Sequence, residues 1–142
     1  MNILAKALAL SLLAASVFVS CMVDNPEDKF NFSSDEQPIA NYQVMGKVSD
    51  EDGKPINGIR VIADYVYRAD TLYTDKDGEY SKFLTIPRVD SLYLSFIDID
   101  GPSNGGEFKS VSEHVNPVRT EISSGYFGGS YIVSLNIKLK KK

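Results

Sequence analysis

Apolar and polar residues alternate in several short segments of the chain, and polar turns separate these segments. The clearest alternation lies near the C-terminus, where every second position is apolar: Tyr131, Val133, Leu135, Ile137 and Leu139. A period of two residues is typical of a strand with one buried face. Further strands are predicted over residues 42–48, 59–67, 72–73, 79–86 and 92–96. Residues after position 40 show no helical period, so the sequence predicts an all-β sandwich.

The N-terminus has a different pattern. Residues 7–19 are almost wholly apolar, Lys6 precedes them, and the small residue Ser20 lies just before Cys21. This layout is typical of a secretory signal peptide. The apolar run is shorter than the ~20 residues that a membrane-spanning helix needs. We therefore predict a helical signal peptide over residues 1–20.

The segment Phe18-Val19-Ser20-Cys21 resembles the lipobox of bacterial lipoproteins. In that family the cysteine is diacylated and the chain is cut before it. Cys21 is the only cysteine, so it has no disulfide partner within the chain, and acylation would account for a lone thiol in an exported protein. The alternative is a small residue at the end of an ordinary signal peptide. The resemblance implies a lipid anchor at Cys21 and a bacterial outer-membrane location, on the periplasmic or the surface face.

A polar, acidic segment without any period follows the cysteine, and it predicts a flexible tether over residues 21–40. Its acidic residues resemble the surface-export signal of Bacteroidetes lipoproteins, although a solvated linker explains them equally well. The β-sandwich domain is then expected over residues 41–142. A net charge of −4 argues against nucleic acid as a partner and against electrostatic adhesion to anionic lipid. The acyl chains are therefore the expected contact with the membrane.

Two turn phrases sharpen the fold prediction. These two segments resemble the hallmark sequences of carboxypeptidase regulatory-like domains. The first is Gly46-Lys47-Val48 followed by Asp52-Gly53-Lys54-Pro55-Ile56, and the second is Thr74-Asp75-Lys76-Asp77-Gly78-Glu79-Tyr80. Asp-Gly sequences favour tight turns, and proline fixes the backbone before the next strand. The resemblance implies a seven-strand sandwich that is transthyretin-like or Ig-like. It implies little about function, because this fold serves as spacer, adaptor and binding module.

The whole chain also resembles lipoproteins of Bacteroidales whose genes lie beside a radical SAM enzyme. The resemblance rests on the lipobox, the short acidic tether, the domain and the segment Phe96-Ile97-Asp98-Ile99-Asp100-Gly101 with Asn104-Gly105-Gly106-Glu107-Phe108. It implies a radical SAM enzyme, or another envelope protein, as partner, and modification by that enzyme is one form this partnership could take.

Residues for catalysis are sparse. His114 is the only histidine, and no serine lies in the context of a nucleophile elbow. One histidine and one acylated cysteine do not suit zinc. The acidic residues cluster in turns, where backbone geometry favours them. The sequence therefore predicts a protein that is not an enzyme.

Calcium is the one metal for which the sequence offers ligands. Asp98, Asp100 and Asn104 supply oxygen atoms at spaced positions among glycines, which suits a hard cation. The alternative is a glycine-rich hairpin loop whose polar residues serve its turns. We retain calcium as a candidate ligand and expect no other cofactor.

The chain has eight tyrosines, more than a small core needs to bury. Exposed tyrosines often mark a contact with sugar or protein, and Tyr65, Tyr67 and Tyr126 are the candidates. The alternative is that they span core and solvent on the sheet faces. The sequence thus predicts a membrane-anchored accessory or interaction module, with a glycan- or peptide-binding module, assisted by calcium, as the alternative.

Overall fold

Burial alternates along the strands as the sequence pattern predicts. The computed structural model describes residues 37–66, 68–122 and 125–142. These ranges contain the strands β1 (Ile39–Asp50), β2 (Arg60–Tyr65), β3 (Arg68–Tyr73), β4 (Glu79–Pro87), β5 (Leu92–Ile97), β6 (Val111–Val115), β7 (Val118–Glu121), β8 (Phe127–Ser134) and β9 (Ile137–Leu139). The predicted signal peptide, Cys21, the tether up to residue 36 and Tyr67 lie outside the described residues.

The strands form two sheets that pack face to face. The first sheet has the order β4-β1-β8-β7, and β9 pairs with the end of β1; the second has the order β3-β2-β5-β6. Neighbouring strands are antiparallel except that β8 and β9 both run parallel to β1. Each sheet turns one apolar face toward the other, so the predicted all-β sandwich is confirmed.

Aromatic side chains fill much of the space between the sheets. The rings of Tyr42 and Tyr131 are stacked with their centroids 5.1 Å apart, and Tyr80 meets Phe96 edge to face at 5.7 Å. Aliphatic residues from both sheets surround them, among them Val44, Val61, Leu94, Val133 and Leu139. Tyrosine hydroxyls in this core reach backbone partners, as in Tyr80, which donates to the Leu135 carbonyl at 2.7 Å.

The described residues contain nine strands, whereas the sequence predicted seven or nearly seven. The alternation from Tyr131 to Leu139 is divided between two strands, and in the gap between them the side-chain oxygen of Asn136 accepts the Lys47 N–H at 2.9 Å. β8 ends at Ser134 and β9 begins after this gap. β6 and β7 were not predicted, since most of their residues are exposed and show no apolar alternation.

The two turn phrases of the sequence lie against each other at one end of the sandwich. Val48 donates its N–H to the Gly78 carbonyl at 2.8 Å, and Ile56 donates to the Val48 carbonyl at 3.1 Å. Gly78 has a φ of 73°, which glycine adopts readily, and a side chain there would press on the Val48 carbonyl and on Pro55. Both turns thus form one packed unit.

The domain begins slightly earlier than the sequence pattern indicates. β1 starts at Ile39, and Ala40 is fully buried against the core, whereas the predicted boundary follows residue 40. Among the described residues, no helix has the length and apolar character needed to cross a membrane.

Candidate binding groove

A groove of about 540 Å³ opens at the end of the sandwich where β1 begins. We call it the tyrosine groove, and its lining residues are Gln37, Ile39, Tyr65, Val66, Thr85, Ile86, Pro87, Val89 and Tyr126. Most of these side chains are apolar, and the two tyrosines add hydroxyl groups to the wall. Such a mixture suits contact with a partially apolar ligand or surface.

The topology explains why these distant residues meet. β1 and β8 are parallel, so Ile39 at the start of one strand lies opposite Phe127 at the start of the other, and Tyr126 precedes that strand. β2 ends at Tyr65, and the chain turns at Val66. β4 reaches the same end through residues 85–87, since it is antiparallel to β1. The groove is therefore built from strand ends and turns on a rigid double sheet.

A hydrogen-bonded chain fixes one wall of the groove. The Tyr65 hydroxyl donates to Asp70 Oδ2 at 2.9 Å, and Lys82 Nζ donates to Asp70 Oδ1 at 2.5 Å. Asp70 lies on β3 and Lys82 on β4, so the ion pair links the edge strands of the two sheets. The hydrogen bonds from Lys82 and from Tyr65 lower the pKa of the Asp70 carboxyl, while burial and the bond to Asp70 raise the pKa of Tyr65.

Replacing Asp70 with asparagine should destabilise the domain in a pH-dependent way. Because the pKa of Asp70 is lowered in the folded state, its ion pair stabilises the domain above the ordinary aspartate pKa of about 3.9 and loses this effect as the pH falls. Both partners are partly exposed, so we expect a loss of about 1 kcal/mol in the free energy of unfolding at pH 7. Urea unfolding should show a smaller stability difference between the two proteins at pH 3 than at pH 7, because Asp70 is partly protonated at the lower pH. An equal difference at both pH values would contradict the assignment.

The structure brings together two of the three tyrosines that the sequence proposed for binding. Tyr65 and Tyr126 line the same groove, and Tyr67 lies outside the described residues. Sequence reasoning did not identify the apolar lining at Ile39, Val66 or Val89. No local signal was available for them, because their proximity depends on the parallel pairing of β1 with β8 and on where β2 ends.

The proposed calcium residues lie in one loop after β5. Asp98 accepts the N–H of Asp100 at 3.2 Å on Oδ1 and the N–H of Phe108 at 2.8 Å on Oδ2. Asn104 donates its side-chain amide to Asp100. Burial opposes ionisation of Asp98, but these backbone hydrogen bonds outweigh it and lower its pKa. The Asp98 carboxylate thus joins the two ends of the loop, which agrees with the alternative of a loop whose polar residues serve its turns.

Calcium binding at this loop stays a prediction, and it has a simple test. A site formed by Asp98, Asp100 and Asn104 should raise the melting temperature of the protein in millimolar calcium relative to excess chelator. The double variant Asp98→Asn, Asp100→Asn should abolish that response. Identical melting curves for the unsubstituted protein in calcium and in chelator would contradict calcium binding. Across the ranges that the structure describes, no three His, Cys, Asp or Glu side chains gather as a potential metal site.

The outer face of the first sheet carries a second cavity of about 500 Å³. Phe83 projects from β4 with 74% of its surface exposed. Amide and hydroxyl side chains lie in the same cavity, on β4 itself and on other strands of the sheet, namely Thr85, Asn41, Gln43 and Ser130. The Glu121 carboxylate also lines this cavity and accepts a hydrogen bond from the Ser130 hydroxyl at 3.0 Å. An exposed aromatic ring among amide, hydroxyl and carboxylate groups is an arrangement that suits a sugar ring.

His114 lies on the exposed edge strand β6. Its ring meets that of Tyr93 on β5 at a centroid distance of 4.7 Å, nearly edge to face. The ladder pairs these two residues directly. The contact is a cross-strand aromatic pair of the kind that stabilises sheets.

Comparisons with known proteins find similarity in fold. No family model matches this sequence, and no curated protein matches it either. A chlorocatechol 1,2-dioxygenase from Pseudomonas putida is similar, with a TM-score of 0.54 and 10% identity over 75% of this chain and 63% of its own. A 3-chlorocatechol 1,2-dioxygenase from Rhodococcus opacus 1CP has a TM-score of 0.51 and 12% identity over 77% and 62%. A DUF3823 family protein from Parabacteroides merdae has a TM-score of 0.41 and 19% identity over 73% and 46%.

At these identities, the similarity to the two dioxygenases shows a shared β-sandwich and does not extend to activity. The chain spans less than two thirds of the length of either dioxygenase.

Proposed function

We propose that this chain is a lipid-anchored module of the bacterial cell envelope that acts by binding, without catalysis of its own. The observation that carries the proposal is the tyrosine groove, where Tyr65 and Tyr126 meet an apolar lining at an open end of the sandwich. An open apolar surface of this kind on a small domain marks a contact with another molecule or with a membrane.

The anchor rests on the sequence. The apolar segment of residues 7–19 and the lipobox resemblance at Cys21 support export, cleavage and diacylation. An anchored domain meets other envelope components at high effective concentration, so a modest contact surface is sufficient for function. An interaction module of this design does not need the deep, enclosed site of an enzyme.

The partner class follows from the resemblance to Bacteroidales lipoproteins encoded beside a radical SAM enzyme. A partner or modifying enzyme of that type is part of the proposal, together with other envelope proteins. Intact mass of the protein from cells with and without the neighbouring gene tests the modification directly. A difference beyond lipidation is expected if the enzyme modifies this chain, and identical masses would remove that part of the proposal.

Photo-crosslinking tests binding at the groove. Val66 lies on the groove wall and is 64% exposed. A photoreactive phenylalanine analogue in its place should give a discrete adduct between this protein and the molecule bound at the groove in living cells. The matched control places the same analogue at Tyr73, an exposed residue at the far end of β3. Adducts at Val66 and not at Tyr73 would support the proposal. Absence of an adduct at Val66, or equal labelling at both positions, would contradict it.

Glycan binding is the second candidate, and Phe83 is the observation that favours it. Sugar rings stack on exposed aromatic rings, and the amides of Asn41 and Gln43 offer hydrogen bonds beside Phe83. Because Phe83 is so exposed, Phe83→Ala should leave the fold intact. Binding to an envelope glycan preparation that is lost in Phe83→Ala but kept in Tyr126→Ala would place a glycan site on this face. Equal glycan binding by the unsubstituted protein, Phe83→Ala and Tyr126→Ala would contradict such a site.

A further inference from the structure

The sequence contains two asparagine–glycine pairs, and the fold brings both to one cavity. Asn57 and Gly58 directly follow the first turn phrase, while Asn104 and Gly105 lie in the loop after β5. Asn57, Asn104 and Gly105 line a polar cavity of about 360 Å³, and both asparagines are exposed. Asparagine is one of the thermally labile residues of proteins. Because both pairs meet the same solvent, a difference in their chemical stability must come from the local backbone.

An asparagine that precedes glycine can react with its own backbone. The glycine nitrogen loses its proton and bonds to the side-chain Cγ of the asparagine, while the Cγ–Nδ2 bond breaks and Nδ2 leaves as ammonia with that proton. Water then opens the resulting succinimide ring to aspartate or isoaspartate. Glycine favours ring closure because it has no side chain to obstruct the attack and its backbone has wide conformational freedom. The reaction therefore requires a glycine nitrogen that is free to approach Cγ.

The backbone N–H of Gly58 is held where the two turn phrases meet. It donates to the Thr74 carbonyl at 3.0 Å, and the Thr74 N–H donates to the Ile59 carbonyl at 3.0 Å. Thr74 is buried, and its hydroxyl forms two further hydrogen bonds, with Ile59 and with Ile56. The Gly58 nitrogen can attack Asn57 only after this junction opens locally, so the fold protects Asn57.

The backbone N–H of Gly105 is not restrained in this way. No group of the described residues accepts a hydrogen bond from it. A Cβ atom added at Gly105 would have the Phe108 Cζ atom, 4.0 Å away, as its nearest contact beyond the adjoining residues. The side-chain amide of Asn104 donates to Asp100, but this hydrogen bond is exposed, so water replaces it at small cost. The loop thus leaves both reacting groups of this pair free to meet.

We infer that Asn104 is a site of spontaneous deamidation in the folded protein and that Asn57 is protected from the same reaction. The inference is independent of the proposed binding function. The product has a carboxylate where Asn104 had an amide donor, directly beside the carboxylate of Asp100, and like charges at this separation repel each other. Asn104 also lies beside Gly58, since a Cβ atom added there would be 3.2 Å from Nδ2. Deamidation therefore alters the contact between the loop and the first turn phrase.

Peptide mapping by mass spectrometry tests this contrast on the full chain. The purified protein is incubated at mildly alkaline pH, which favours loss of the proton from the attacking nitrogen. Trypsin separates the two pairs, because Arg60 and Lys109 end different peptides. For each peptide the mass gain of an amide-to-acid exchange and the amount of isoaspartate are measured against a sample taken at time zero. Asn104 should convert roughly tenfold faster than Asn57 or more, because the Gly58 hydrogen bond must first break.

Unfolding separates the effect of the fold from that of the sequence. In urea at the same pH, Asn57 and Asn104 should convert at similar rates, because both glycine nitrogens are then free. Equal rates in the folded protein, faster conversion of Asn57, or an Asn104 that stays intact would each overturn the inference. In the control variant Asn104→Gln, ring closure is far slower, so the mass gain of this peptide should disappear. A mass gain that persists in this variant would overturn the assignment to Asn104.

Discussion

Replacing Gly46 with alanine should destabilise the domain more than any other small substitution in β1. A Cβ atom at this position would overlap the Leu135 carbonyl and lie 2.6 Å from the Tyr80 hydroxyl. Neither group can move easily, because Tyr80 donates to Leu135 at 2.7 Å and the Leu135 N–H donates to the Met45 carbonyl at 3.1 Å. Overpacking against a fixed backbone costs at the upper end of the usual range, so we expect a loss of about 3 kcal/mol or more.

Urea unfolding monitored by tyrosine fluorescence measures this loss. Gly53→Ala is the matched control, because Gly53 has a φ of 83° but no atom within 4 Å of the added Cβ. It should cost only about 1 kcal/mol, the strain of a left-handed alanine. A Gly46→Ala variant that is no less stable than Gly53→Ala would contradict the close packing of β1 against residue 135.

Replacing Thr74 with valine should produce the second large effect. The Thr74 hydroxyl is buried, accepts the N–H of Ile59 at 2.9 Å and donates to the carbonyl of Ile56 at 2.7 Å. Valine keeps the shape of threonine but leaves both backbone groups without these partners. Each unsatisfied buried group costs about 1–3 kcal/mol, so the expected loss in the free energy of unfolding is about 3 kcal/mol.

The serine variant at the same position separates the hydroxyl from the methyl group. Thr74→Ser keeps both hydrogen bonds and loses one methyl group, which should cost about 1 kcal/mol. Equilibrium unfolding of the two variants under the same conditions gives the comparison. Equal losses in Thr74→Val and Thr74→Ser would mean that packing, and not the hydroxyl, stabilises the junction of the two turns.

Thr74 also shows where sequence reasoning succeeds. Thr74 is the first residue of the turn phrase that ends at Tyr80. This phrase and the earlier one, which contains Pro55, each predicted a tight turn, and the structure has both turns. The apolar alternation similarly identified the strands with one buried face, since burial in β1, β4 and β5 follows a period of two. These features are local, so a single segment contains the whole signal.

Features that depend on long-range contacts were not predictable. The exposed edge strands β6 and β7 lack alternation, and the last predicted strand is divided in two around Asn136. Asp70 and Lys82 give no hint in the sequence that they join the two sheets. The tyrosine groove combines strand ends from four separate segments, so the sequence indicated Tyr65 and Tyr126 by residue type alone and could not show that they meet.

A lipid on Cys21 is the claim on which the proposed envelope location depends. Mass spectrometry of the protein from the membrane fraction tests it directly. The expected N-terminal peptide begins at Cys21 and bears diacylglycerol, and Cys21→Ser should release the protein from the membrane. A soluble protein with an unmodified Cys21 thiol, or one that retains Met1 through Ser20, would contradict it.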